Sequence, residues 1–135
     1  MTGVSSSLAA LLLLASCGTS PSSARATAPA QPFTLSPGQT AEVEGTGLTV
    51  TFESVTADSR CPVDVTCVWE GDAVVLVSAR PATTSPRELH TSGRYPAEAE
   101  VGDYRLRLVE LAPAPRQDAR LAPGDYRATF VVTRK

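Results

Sequence analysis

Apolar and polar residues alternate with a period of two along much of the chain, and no stretch carries the 3.6-residue period of a helix. Leu48, Val50 and Phe52 alternate with Thr49, Thr51 and Glu53, which predicts a half-buried strand with the first three on its core face. Tyr104, Leu106 and Leu108 alternate with Arg105 and Arg107, and Tyr126, Ala128, Phe130 and Val132 alternate with Arg127, Thr129 and Thr133. Ala73 to Ala79, AVVLVSA, is a nearly unbroken apolar run and reads as a central strand covered on both faces. Shorter candidates are Gln39 to Gly45 and an edge strand at Arg87 to Thr91. Ala112 to Asp125 holds three prolines and a Pro-Gly-Asp turn signal, so it is predicted to cross the surface. Six or seven short strands in about 100 residues predict an all-β fold, an antiparallel β-sandwich over residues 33–135.

The first sixteen residues read differently. An apolar run from Leu8 to Ala15 has the length of a signal-peptide core and is shorter than the ~20 residues that a membrane-spanning helix needs. It ends in Leu14-Ala15-Ser16-Cys17, which resembles the bacterial lipobox. That resemblance implies diacylation of the Cys17 sulfur and cleavage that makes Cys17 the new N-terminus. The departure from the pattern is that no Lys or Arg precedes the apolar run. An ordinary secretory signal cut near Cys17, or a buried N-terminal helix, ranks below this reading. Residues 17–32 are rich in Ser, Thr, Ala and Pro and are predicted to be a flexible tether. Gly18 is not the Asp that retains a lipoprotein at the inner membrane. The predicted location is therefore the cell envelope, at the outer membrane or the outer face of the cytoplasmic membrane.

A formal net charge of −2 supports neither nucleic-acid binding nor electrostatic capture by an anionic membrane. Three cysteines narrow the chemistry further. With Cys17 lipidated and the domain exported, Cys61 and Cys67 form an even pair in an oxidising compartment and are predicted to form a disulfide. Closing that loop contributes about 2.4 kcal/mol in the chain-entropy model. A zinc site would need further ligands beyond these two thiols and the distant His90. A catalytic cysteine would need a base and an orienting partner. His90 is read as a strand or loop residue making a local hydrogen bond.

Around the pair, Arg60, Asp64, Trp69 and Glu70 form the candidate binding surface. Trp69 is predicted first as a core plug packed on the disulfide, and second as an exposed aromatic contact. Asp58, Asp64, Glu70 and Asp72 lack the spacing of a calcium loop. They are predicted to form a solvated rim, with Asp58 capping the turn and pairing with Arg60. Gly71 is predicted to supply a bend or bulge ahead of the strand.

The block DSRCPVDVTCVWEGDAVV, Asp58 to Val75, resembles a family of small bacterial lipoproteins and secreted proteins with the pattern SRCPxxxxCVWxG. LVELAPAPRQDARLAPGDYRATFVV looks like its matching C-terminal part. Glu70 stands where that pattern has a small residue. The resemblance implies export and a β domain and carries over no catalytic residue.

The expected function is a non-enzymatic, lipid-anchored envelope module that binds an envelope protein or small ligand, with no cofactor, metal or nucleic acid. The alternatives are a protease-inhibitor-like protein that inserts the Cys61–Cys67 loop into a cleft, and a metal-binding envelope protein.

Overall fold

The structure, a computed structural model, describes residue 3, the backbone of 24–27 and residues 30–135. Cys17 and the predicted signal peptide lie outside the described residues. Among the described residues, nine strands form two sheets. The strands are β1 (Ala24–Thr27), β2 (Phe33–Leu35), β3 (Thr40–Val43), β4 (Leu48–Asp58), β5 (Ala73–Arg80), β6 (Arg87–His90), β7 (Glu98–Val101), β8 (Tyr104–Ala112) and β9 (Arg127–Arg134). The five-stranded sheet has the order β1-β3-β4-β5-β6 and the four-stranded sheet the order β2-β9-β8-β7. All pairs are antiparallel except β1 with β3, which is parallel. Among the described residues, no helix is long and apolar enough to cross a membrane.

The predicted β-sandwich is present, and alternation places its core. Leu48, Val50 and Phe52 from β4, Leu106 and Leu108 from β8, and Ala128, Phe130 and Val132 from β9 are buried together. Phe52 meets Phe130 edge-on across the two sheets, with ring centroids 6.1 Å apart. β5 is central in its sheet, but its two faces differ. Val75, Val77 and Ala79 are fully buried, whereas Val74 and Leu76 on the outer face are half-buried. Bulges between Phe52 and Ser54 and between Val55 and Ala57 interrupt the alternation of β4, as register shifts do when one strand carries an extra residue.

Three strands have no alternation long enough to announce them. β2 and β7 hold three and four residues, and both take their place from a longer neighbour, β9 and β8 respectively. Ala24–Thr27, within the stretch predicted to be a tether, runs as β1 beside β3. The predicted edge strand is β6, at the rim of the five-stranded sheet.

The ends of the sandwich differ. β4 ends, β5 begins, β6 ends, β7 begins, β8 ends and β9 begins at one end, which therefore carries the connections 59–72, 91–97 and 113–126. The other end carries the turns 44–47 and 102–103 and the connection 81–86.

Candidate functional site

The 59–72 connection begins as a distorted continuation of the β4–β5 pair. The amide of Ser59 donates to the carbonyl of Asp72 at 2.7 Å, and that of Cys61 to the carbonyl of Glu70 at 2.8 Å. Between these rungs Gly71 has φ of 71°, and a Cβ there would overlap the Ser59 carbonyl. Gly71, predicted to supply a bend or bulge, bends the strand without shifting its register, at a position only glycine fits. Beyond Cys61 the loop is closed by a disulfide to Cys67, with a Cα–Cα distance of 6.0 Å.

This loop is held to its neighbours by side chains. Arg60 forms a fork on Asp58, with Nε donating to Oδ1 and Nη2 to Oδ2, each at 2.8 Å. Its Nη1 donates to the carbonyl of Leu111, at the end of β8, at 2.8 Å and Nη2 also to that of Pro113, in the following connection, at 3.1 Å. The Tyr126 hydroxyl donates to Asp58 Oδ2 at 2.9 Å. Burial pushes the Asp58 carboxyl up, but the bonds from Arg60 and Tyr126 outweigh it and hold the group below its ordinary value. Burial, and then the bond to Asp58, raise the Tyr126 phenol. A cleft of about 260 Å³ opens beside this cluster, lined by Asp58, Arg60, Pro115, Arg120, Leu121 and Tyr126 among others. Farther along, the Val63 amide donates to Pro115 O at 2.9 Å and Asp64 Oδ1 accepts from the Gln117 amide at 3.0 Å. The backbone that an inhibitor loop would offer a protease is thus already paired at Val63.

A second polar cluster ties 59–72 to 91–97. Asp72 is buried, at 8% exposure. Its Oδ1 accepts from the amides of Thr91 and Ser92 at 3.1 and 2.9 Å, and its Oδ2 lies 2.6 Å from His90 Nδ1. Burial raises the Asp72 carboxyl, while His90 and the two amides more than offset this and lower it. Glu70 Oε1 accepts from the Ser92 hydroxyl at 2.8 Å and the Gly93 amide at 3.2 Å.

The predicted site residues therefore divide. Arg60, Asp64 and Glu70 hold loops in place, Asp64 and Glu70 through one carboxylate oxygen each. Asp72 is not part of a solvated rim, because the β5–β6 register sets it against His90 and the start of 91–97. Asp58 does pair with Arg60 as expected, and it is also an anchor for Tyr126. Trp69 is not a core plug. Phe33, Phe52 and Phe130 fill the interior, while Trp69 sits outside both sheets at 38% exposure with the Arg94 guanidinium 5.1 Å from its ring centroid. Among the described residues, no group of three or more His, Cys, Asp or Glu side chains is placed to hold a metal ion.

Sequence reasoning did not mark Tyr95, which is 49% exposed and stacks on His90 with centroids 5.0 Å apart. With Val63 at 59%, Val68 at 105% and Trp69, it places four large apolar or aromatic side chains in solvent at this end of the sandwich. Compared with protein-family models, curated proteins and solved structures, the chain matches none.

Proposed function

We propose that the protein is a non-catalytic interaction module, held at the cell envelope by a lipid on Cys17, whose contact surface is the cysteine-loop end of the sandwich. One observation carries this reading. Asp58, Arg60, Asp64, Glu70 and Asp72 all make bonds that fix three connections, and large apolar side chains beside them face solvent. A surface already ordered before contact loses less freedom on binding, and exposed aromatic residues are the side chains most often found to carry contact energy. The disulfide favours an oxidising compartment. The Leu-Ala-Ser-Cys signal and the likeness to SRCPxxxxCVWxG lipoproteins and secreted proteins favour export and anchoring.

Two measurements test the two halves of the reading. Intact mass of the native, detergent-extracted chain should show acyl mass that the Cys17→Ser variant lacks. A photo-reactive residue placed in cells at Val68 should form adducts with an envelope component, and the same residue at Glu44, at the opposite end, should not. Equal labelling at both positions, or none at either, would end the proposal for the contact surface.

A further inference from the structure

The exposed side chains at the cysteine-loop end have a chemical character of their own. Val68 stands clear of the surface at 105% exposure, as a residue lining a cleft does not. Trp69 follows it, the Arg94 guanidinium lies over the Trp69 ring, and Tyr95 follows Arg94. Tryptophan, tyrosine and arginine flanking an apolar residue are the set that settles at a membrane–water boundary, where rings and guanidinium groups reach both media. The group is also held as one piece. Glu70, next to Trp69, binds Ser92 and Gly93, next to Arg94, and the disulfide closes the loop just before Val68.

We propose that Val68, Trp69 and Tyr95 seat in the headgroup layer of the membrane carrying the anchor, so that the domain is docked on the bilayer and not held away from it. This rests on the lipid-anchored reading above. The direction of β1 supports it. β3 runs away from the cysteine-loop end and β1 runs parallel to it, so Ala24 is the end of β1 nearer the cysteine loop. Ala24 is level with Thr40, which pairs with Thr51, seven residues before the end of β4 at Asp58. Seven strand residues cover about 23 Å. Cys17 also precedes Ala24 by seven residues, which span up to about 25 Å. A lipid on Cys17 is therefore within reach of the level of Asp58, at the base of the tip. The three connections at this end hold four arginines and five acids, so charge gives no net attraction to an anionic surface and apolar insertion must drive docking.

Trp69 is the only tryptophan in the chain and reports on the site directly. The acylated full chain is reconstituted into vesicles of equal parts phosphatidylethanolamine and phosphatidylglycerol, with and without brominated acyl chains. Sedimentation with the vesicles reads the anchor, and quenching of Trp69 by bromine reads the tip. The expected result is sedimentation with a quench of about two-fold or more that persists in high salt and is lost in Val68→Asp. Sedimentation without a quench, with Trp69 open to aqueous iodide, overturns the docked tip and leaves the anchor standing. A chain that neither sediments nor is quenched overturns both. Protein adducts at Val68 in cells, with no bromine quench, overturn the membrane in favour of a protein partner.

Discussion

The two ends of the sandwich reverse the same strands by different means. At the turn end the connections are short and held close to home. Thr46 closes 44–47 by donating from its amide and hydroxyl to Val43 O at 3.2 and 2.7 Å and accepting from the Leu48 amide at 3.0 Å. Thr83 exchanges bonds with Ala79 four residues away. At the cysteine-loop end the connections are long, and bonds between residues far apart in sequence fix them. Arg60 reaches Leu111 and Pro113, Tyr126 reaches Asp58, and Asp72 reaches Ser92. Long loops cost more conformational entropy to order, so a chain that orders them with buried ionisable groups is spending interactions that short turns do not require. This contrast is what directs attention to the loop end as the place of function.

Mutations can break the contrast or sharpen it. The largest effect is expected at Asp72. Asp72→Ala leaves two amides and His90 without their acceptor, and should lower unfolding free energy by about 3–4 kcal/mol in chemical denaturation. A loss below about 1 kcal/mol would mean that 91–97 is ordered by something else. Replacing both cysteines with serine should cost about 2 kcal/mol, measured the same way, because the unfolded chain regains the freedom of the closed loop.

The pH response should single out the Asp58–Tyr126 bond. Asp58 is held below its ordinary value of 3.8, so its contribution is present above that pH and is lost as pH falls through the lower, folded value. Tyr126 is held above its ordinary value of 10.0, so its contribution is present below that pH and is lost as pH rises through the folded value. Asp58→Asn should reduce the alkaline limb of a stability profile against pH and the part of the acid limb that Asp72, also held below its ordinary value, does not supply. Unchanged limbs would remove this bond from the account. The smallest effect belongs to the turn end, where Thr46→Ala should cost about 1 kcal/mol or less by thermal unfolding, with Trp69 emission unchanged.

The sequence made legible what is local. Alternation along β4, β8 and β9 marked the core faces of all three, and the disulfide and the Asp58–Arg60 fork join residues six and two apart. Gly71 could be read as a bend, although its contact with Ser59 could not. The rest depends on register. Nothing near Asp72 in the chain points to His90. The two meet because Val74 pairs with His90 in the β5–β6 ladder. Trp69 was misplaced for a related reason, since its volume suggests a core role, but the core positions of β2, β4 and β9 already hold phenylalanines. Tyr95 belongs to no alternating segment, so only the position of 91–97 at the loop end gives it meaning.

Arg60 has a consequence for how the molecule stands. Its guanidinium leaves one sheet at Asp58 and ends on the carbonyls of Leu111 and Pro113 behind the other, so the two sheets are pinned together at the loop end and cannot shear there independently. The tip then has no hinge of its own. β4 alone runs eleven residues from the turn end to Asp58, a rigid arm of about 35 Å. Whatever grips the tip sets the tilt of that arm, and a small rotation at the contact sweeps the 44–47 turn through a wide arc. Orientation relative to whatever the tip contacts is thereby decided at one end of the molecule and displayed at the other.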